Sequence, residues 1–527
     1  MPWFDGLRSR VTSSGRPRLP SERGGDPRRD PVRGAGPGRR PQVIFNSLQY
    51  ALFLPLVVGI YWALPRPKRL PVLLVASYVF YGSWDHRFLS LIVISTLTDY
   101  TIALRLGRTD NESRRRLLLL TSIAVNLTIL GFFKYFNFFV DSAAALLTSV
   151  GLESNITFLE IVLPVGISFY TFQTISYTFD VYRRRIEPCR SLVTVAVYVA
   201  YFPQLVAGPI ERARRLLPQL ASDPPPPDSE KLASALGLIL LGLLKKVVIA
   251  DRVGVYVDQM YADHQAMGSG ALLLGVLAFA IQVYGDFSGY TDIARGSSRL
   301  FSIELMENFS QPHLSRNITE FWQRWHISLS SWLREYLYVP LGGNKSGRFK
   351  TYRNLFLTML LGGLWHGAAW TYVVWGGCHG VYLAIHRALQ GARRKGHQLP
   401  RAGEGETDRA QTDLPRGPSE LLKVAGTFAL IAFTLVFFRS ESLGQAFEIF
   451  GGLVAGGGSA PAWGFVIEIL ALSSIAFAID VVGRLDISWS EAAIARPSLA
   501  GAAAAACMIL VTVASGVRTI PFIYFQF

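Results

Sequence analysis

The sequence predicts an all-α protein that crosses a membrane many times. Half of the 527 residues are hydrophobic and only 17% are charged. The hydrophobic residues fall into runs of about 15 to 22 residues, close to the length that spans a bilayer as a helix. Most Lys and Arg residues stand in short clusters between these runs, which is typical of cytoplasmic loops. We therefore expect a polytopic membrane protein with about 11–13 transmembrane helices, plus re-entrant and interfacial helices.

The distribution of charges and cysteines bears on nucleic-acid binding, disulfides and metal sites. The formal net charge is +15, but the basic clusters between apolar runs explain it, so no nucleic-acid partner is expected. The three cysteines, Cys189, Cys378 and Cys507, are far apart and follow no disulfide or metal-ligand spacing. We interpret them as packing residues and expect no metal site.

Twelve apolar runs predict membrane crossings. They lie at roughly 46–64, 70–84, 88–106, 117–140, 158–180, 233–253, 271–289, 354–372, 373–389, 422–438, 463–482 and 498–515. The segment 192–209 has basic residues on both flanks and contains Pro203 and Pro209, which predicts a re-entrant or broken helix. The polar segments 222–231 and 391–421 are expected to be cytoplasmic linkers.

The first 42 residues differ in composition from the rest of the chain. They are rich in Arg, Pro and Gly and lack the apolar core of a signal peptide, which predicts a disordered basic arm. Twelve crossings place both termini outside the cytoplasm, the wrong side for this arm. Either one early span is miscounted, or the native chain begins near Val43 and residues 43–527 form the whole membrane domain.

The segment 295–353 is basic and too polar to cross a membrane, so we place it at the cytoplasmic surface. Within it, Trp322, Trp325, Leu329 and Leu333 recur at helical spacing. This pattern predicts one amphipathic helix over 320–339, lying at the membrane interface. Asn308 and Asn317 precede it and are interpreted as turn and cap residues.

Two Trp-His pairs, Trp325-His326 and Trp365-His366, are the strongest chemical signals. Imidazole has an ordinary pKa near neutrality and is the usual proton-transfer group. His366 lies in the apolar stretch GGLWHGAAW, whose small residues leave room for close helices and a substrate. From the residues alone, a structural histidine bonded to a carbonyl is an equally good interpretation. Three roles are open for His326: stabilising the oxyanion of the thioester, orienting His366, or capping the interface.

Supporting residues surround these pairs. Arg324, Arg334 and Lys345, with Arg348 and Lys350, predict a basic cytoplasmic rim that attracts a phosphate-rich donor. Positive-inside anchoring explains each single residue equally well.

Other polar residues leave more than one interpretation open. Two interpretations of Asp286 are open: it pairs with a histidine or an arginine, or it is a polar group at the end of a helix. His313 lies in a loop. His379 and His386 lie seven positions apart and are interpreted as packing residues rather than metal ligands.

Several long motifs carry a family resemblance. They are FFKYFNFF, LPVGISFYTFQTISYTFDVYR, YFPQLVAGPIER, YGDFSGYTDIARG, NFSQPHLSRNITEFWQRWHISLSSWLREYLYVPLGGNK and GGLWHGAAWTYVVWG, in this order. The chain from 43 to 527 resembles the membrane-bound O-acyltransferases, in the branch of the alginate O-acetyltransferase membrane subunit. The resemblance implies a ring of tilted helices around a central funnel.

The resemblance also implies a function. Acetyl groups would pass from a cytoplasmic donor, expected to be acetyl-CoA as a substrate with no bound cofactor, towards exopolysaccharide hydroxyls such as those of alginate. Periplasmic partner proteins and a bacterial inner membrane are implied as well. His366, in its LWHG context, and His326, in its WHISLS context, match the catalytic histidines. Trp325, Trp365 and Asn317 stand as supporting or donor-binding residues.

Two other readings of the function remain open at this point. The same fold could transfer a D-alanyl or lipid acyl group instead of acetyl. A proton-coupled transporter is disfavoured because no internal repeat is evident. Since no Ser or Cys beside either histidine is a convincing nucleophile, direct transfer is expected rather than an acyl-enzyme step.

Overall fold

The computed structural model describes residues 45–152, 159, 161–206, 208–345, 347–393, 414–415, 417–485 and 497–515. These residues form helices and connecting loops, with no β-strand among them beyond an isolated bridge between Met267 and Ser459. The predicted basic arm, 1–42, and most of the predicted linker 391–421 lie outside the described residues.

Twenty α-helices are described. In chain order they are α1 (Leu48–Ala63), α2 (Arg66–Asp85), α3 (Leu89–Leu106), α4 (Glu112–Leu130), α5 (Phe136–Ser149), α6 (Ile167–Tyr182), α7 (Leu192–Ala200), α8 (Phe202–Leu205), α9 (Ala213–Ala221), α10 (Ser229–Leu243), α11 (Asp251–Ala262), α12 (Ser269–Arg299), α13 (Ile318–Arg324), α14 (Ile327–Leu333), α15 (Arg348–His366), α16 (Trp370–Arg393), α17 (Pro418–Arg439), α18 (Leu443–Ala455), α19 (Trp463–Arg484) and α20 (Pro497–Ser515). Short π-helical segments (Gly131–Tyr135, Leu244–Ala250, Arg334–Tyr338) and 3₁₀ turns (His86–Phe88, Pro312–Leu314) complete the helical structure of these residues.

Six helical stretches in the described part of the chain are long and apolar enough to cross a membrane, judged by length and composition. They are Arg66–Leu106, Glu112–Ser149, Ser229–Ala262, Ser269–Arg299, Pro418–Arg439 and Trp463–Arg484. Shorter apolar helices accompany them, and α15 packs against α16. The predicted all-α polytopic membrane fold is confirmed.

Several predicted boundaries were wrong for local reasons. The crossing predicted at 158–180 begins only at Ile167, because Gly166, the N-cap residue of α6, adopts a left-handed backbone (φ +74°) that does not continue a helix. The crossing predicted at 271–289 continues to Arg299, so Asp286 lies inside α12 rather than at its end. The segment 192–209 is a broken helix, as predicted, interrupted between α7 and α8 at Tyr201.

The prediction of a single amphipathic helix over 320–339 is also wrong. α13 ends at Arg324, and α14 starts at Ile327 after His326 takes a left-handed backbone (φ +43°). The apolar face does not lie on an interface, because Trp322, Trp325 and Leu329 are all buried in the protein. The segment is therefore an internal support rather than an interfacial helix.

The longest helix, α12, is the centre of the packing. Its apolar part is mostly buried, and it contacts α10, α11, α17, α18 and α19. α10 approaches it closely where Gly242 faces Gly289: a Cβ atom on Gly242 would lie 2.5 Å from the Gly289 carbonyl oxygen. Small residues allow such close contacts between membrane helices.

Buried ion pairs connect α12 to the π-helical segment Leu244–Ala250. Lys246 Nζ lies 2.6 Å from Asp286 Oδ1 and 2.8 Å from Asp251 Oδ1. Its neighbour Lys245 lies 2.7 Å from Asp292 Oδ2. A buried charge without its partner is strongly destabilising, so these pairs fix the continuous helical stretch Ser229–Ala262 in one register on α12.

The Gly242 contact gives a stability prediction. Gly242→Ala is expected to lower the thermal stability of the detergent-purified protein, because the new methyl group meets backbone and costs roughly 1–3 kcal/mol. Gly237→Ala, on the same helix but with nothing within 4 Å of its Cβ, should leave stability unchanged or raise it by up to about 1 kcal/mol. Equal melting temperatures for the two variants would contradict the close contact.

Candidate active site

His326 lies at the break between α13 and α14, and Asn308 holds that break. The backbone N–H of Ile327 donates to the Asn308 carbonyl oxygen (2.9 Å), and the N–H of Ser328 donates to Asn308 Oδ1 (3.1 Å). The Ser328 hydroxyl donates to the same oxygen (2.9 Å). Asn308 therefore satisfies the first N–H groups of α14, which have no partner within the helix.

These contacts also fix the protonation pattern of the His326 ring. Since a backbone N–H donates to Asn308 Oδ1, this atom is the amide oxygen. His326 Nδ1 lies 3.1 Å from it and must be the donor, so Nε2 of the neutral ring carries the lone pair. The arrangement repeats the logic of a catalytic triad, in which a third group orients the imidazole base. Asn308, interpreted from the sequence as a turn residue, is thus an orienting residue.

His366 is the last residue of α15 and is buried beside His326. The two ring centroids are 6.2 Å apart. The His366 ring packs edge-on against Trp375 (5.1 Å) and Phe438 (5.4 Å). His366 thus lies at a helix end within an aromatic enclosure, and the structure brings together the two histidines that the sequence singled out.

An internal cavity adjoins His366 and is almost entirely apolar. It has room for a water-sized group. Its lining comprises Ala280, Val283, Phe287, His313, Phe321, Trp325, His366, Trp375, His379, Ile431, Leu435 and Phe438. The only polar groups of this lining are three imidazoles and two indole N–H groups. Such a space suits a small, mostly apolar reacting group next to an acid–base residue.

Comparison with known proteins identifies the class of enzyme. The model of the membrane-bound O-acyltransferase family matches residues 84–398, more than half of the chain. The chain belongs to this family. It is 44% identical over 418 residues to a probable alginate O-acetylase of Pseudomonas putida, covering 79% of this chain and 81% of that protein. It is 34% identical over 445 residues to the peptidoglycan O-acetyltransferase of Helicobacter pylori, covering 78% and 80%.

A more distant relative shows the breadth of the family. The teichoic acid D-alanyltransferase of Bacillus subtilis is 27% identical over 247 residues, 45% of this chain and 62% of that protein. All three relatives are named as acyl-transfer enzymes, and this membrane-bound O-acyltransferase is an enzyme of the same kind.

Lys134 supports the catalytic end of α15, which the sequence did not indicate. Its ammonium group donates to the carbonyl oxygens of Trp365 (2.5 Å) and His366 (3.1 Å) and to the Ser168 hydroxyl (3.1 Å). The last carbonyls of a helix have no partner within it and carry partial negative charge. A cation there stabilises the helix end that bears His366. Lys134 lies in the π-helical segment, within the motif FFKYFNFF.

The two tryptophans of the Trp-His pairs are buried packing residues. Trp325 stacks on Phe321 (5.4 Å) and lines the cavity. Trp365 is 3% exposed and packs against Phe169 and Phe172. Asn317 is the N-cap of α13, as predicted, and its side chain accepts from the Glu320 N–H (2.9 Å). These residues shape the site from outside the reacting centre.

The predicted basic rim divides into two parts. Arg334 and Lys345 are exposed, as are Arg348 and Lys350. Arg324 is only 4% exposed and pairs with Glu320 at 3.1 Å. It therefore lies in an internal ion cluster rather than on an open surface.

Asp286 and His379 have structural partners. Asp286 pairs with Lys246 at 2.6 Å. His379 Nδ1 accepts from the Trp322 indole N–H (3.3 Å), and Nε2 faces Thr434 Oγ1 (3.3 Å). Because an indole can only donate, both His379 nitrogens are used, and this ring positions Trp322 rather than moving protons.

The orienting role of Asn308 gives the next prediction. Asn308→Leu removes the acceptor for His326 Nδ1, so the wrong ring nitrogen can carry the proton, and kcat should fall about 10²-fold. Asn308→Asp keeps an acceptor oxygen at the same position and should retain much more activity. The comparison is the acyl-transfer rate of both purified variants at equal amounts of monodisperse protein. Equal rates for the two would show that Asn308 does not orient the ring.

Proposed function

We propose that this enzyme transfers acetyl groups from acetyl-CoA, on the cytoplasmic side of a bacterial inner membrane, to exopolysaccharide hydroxyls such as those of alginate. The observation that carries the proposal is the oriented His326 ring beside His366 at the end of a small aromatic cavity. The similarity to probable alginate O-acetylases over four fifths of both chains supports the choice of acyl group and acceptor.

The chemistry needs a base because a hydroxyl attacks a thioester poorly at neutral pH. In the proposed step an imidazole of the His326–His366 pair takes the hydroxyl proton as the oxygen bonds to the thioester carbon. The carbon–sulfur bond then breaks and the thiolate takes a proton, giving an acetyl ester and free thiol. Transfer is direct, with no covalent enzyme intermediate.

The lining of the cavity favours acetyl over the other acyl groups considered. Its small, apolar space beside His366 suits a short acyl group rather than a lipid chain. None of its twelve lining residues is acidic, so it offers no counter-charge to the ammonium group of a D-alanyl ester. Membership of an acyltransferase family likewise favours acyl transfer over the transporter interpretation.

The donor approaches from the exposed basic rim in this proposal. The turn that bears Lys345 is held by Asn354 of α15, whose Nδ2 donates to the carbonyl oxygens of Leu341 and Gly343 (both 3.1 Å). The rim is thus attached to the helix that ends at His366. A nucleotide donor with several phosphates would be drawn to these cations.

The acceptor polymer is expected on the opposite face. A polysaccharide is far too large for a cavity of this size. It must therefore present one hydroxyl at the membrane face, or receive the acetyl group through periplasmic partner proteins.

The first test concerns His366. His366→Ala should abolish acetylation of the exopolysaccharide, because the imidazole next to the cavity is lost, with a fall of at least about 10²-fold. The measurement is acetyl content of the polymer from cells with equal membrane levels of the protein. A polymer that is acetylated as before would remove His366 from the mechanism.

The second test concerns the rim. Lys345→Glu combined with Arg334→Glu should raise the KM for acetyl-CoA about tenfold with kcat unchanged, because charge repulsion weakens donor binding alone. Arg114→Glu combined with Arg116→Glu, at two exposed arginines of α4, is the matched control and should leave KM unchanged. A similar increase in both variants would mean that only overall charge matters.

A further inference from the structure

His313 is a second acid–base group on the wall of the cavity that His366 lines. It lies in the 3₁₀ turn Pro312–Leu314 and is 5% exposed. Its ring packs edge-on against Tyr284 at 4.5 Å and against Phe428 at 5.2 Å. The proposed function uses the His326–His366 pair as a base and leaves His313 without a role.

A buried carboxylate stands behind this imidazole. Asp480 Oδ2, on α19, lies 4.0 Å from His313 Nδ1, and Asp480 is 1% exposed. The Tyr284 hydroxyl donates to the other oxygen, Oδ1, whereas Oδ2 has no hydrogen-bond partner among the described residues. The 4.0 Å separation is longer than a hydrogen bond, and catalytic hydrogen bonds often shorten only when substrate is bound.

The histidines of the site differ in the polar group that each imidazole ring faces. His326 is oriented by the neutral amide of Asn308, and His379 uses both nitrogens in structural contacts. His313 alone among these three faces a carboxylate. A carboxylate stabilises the protonated imidazolium, which a neutral amide does not do to the same degree.

The turn that bears His313 is attached to the internal ion cluster. The carbonyl oxygen of Leu314 accepts from Arg484 (3.3 Å), and Arg484 lies 3.7 Å from Glu320 in the ion cluster that also contains Arg324. These contacts fix the turn, and with it the His313 ring, at the wall of the cavity.

We propose that His313, supported by Asp480 and Tyr284, is the general acid that protonates the leaving thiolate of the donor. The proposal rests on the proposed function. A water in the shared cavity carries the hydroxyl proton from the His326–His366 pair to His313. As the carbon–sulfur bond breaks, its electron pair stays on sulfur, and His313 gives this proton to that sulfur. One proton moves from acceptor oxygen to donor sulfur, and the site ends as it began.

The test uses two donors that differ in the basicity of the leaving thiolate. Acetyl-CoA releases an alkyl thiolate, a strong base that needs protonation (alkyl thiols have a pKa of about 8.5). Phenyl thioacetate releases a much weaker base that needs none. His313→Gln should slow acetyl-CoA turnover roughly 10²-fold relative to the unmodified protein and slow phenyl thioacetate turnover less than threefold. Thiol release by the purified full-length protein in detergent, with alginate oligosaccharides supplied as the acceptor, measures both rates.

Two further variants serve as a companion test and a control. Asp480→Asn retains an acceptor for Tyr284 and should show the same dependence on leaving group, with a smaller loss. His264→Gln alters another histidine–carboxylate pair, with Glu448 at 2.8 Å, away from the cavity, and should leave both rates unchanged. Equal losses with both donors would make His313 a packing residue and overturn the proposal. Absence of thiol release from acetyl-CoA by the unmodified protein would instead refute the proposed function.

Discussion

The side-chain oxygen of Asn308 accepts three hydrogen bonds, and the geometry of the active site depends on it. Two come from Ser328 and one from His326. The two hydrogen bonds from Ser328 substitute for helical hydrogen bonds that are missing at the break between α13 and α14. The third determines which nitrogen of His326 is free to take a proton. One amide oxygen thus decides both where the helix breaks and what the histidine can do.

The break between α13 and α14 requires an unfavourable backbone conformation at His326, which neighbouring contacts stabilise. His326 has a positive φ of 43°, a conformation that non-glycine residues rarely adopt and that costs of order 1–3 kcal/mol. The Asn308 contacts and the packing of the His326 ring against Phe287 at 4.7 Å hold it there. Strained residues persist where the surrounding structure fixes their conformation. The contacts around His326, next to His366, do this.

The sequence predicted the membrane fold, the broken helix at 192–209 and the cap at Asn317, because hydropathy and capping are local properties. It also singled out His326 and His366 as chemical residues. It failed over 320–339, where a regular apolar period hides a break that depends on Asn308, ten or more positions away. It also missed Lys134, because a lysine among aromatic residues shows no sign of the helix end, more than two hundred positions later, that it contacts. Contacts between distant segments leave no periodic trace in a sequence.

The π-helical segment around Lys134 has an evolutionary consequence. Such a segment arises when one residue is inserted into an α-helix. The insertion turns every later side chain by about 100° relative to the earlier ones, since an α-helix has about 3.6 residues per turn. A chain that lacked this one residue would keep α4 in place and direct Lys134 away from the end of α15. The support of the catalytic helix end could therefore have been gained in a single insertion, and one deletion in the same helix would remove it.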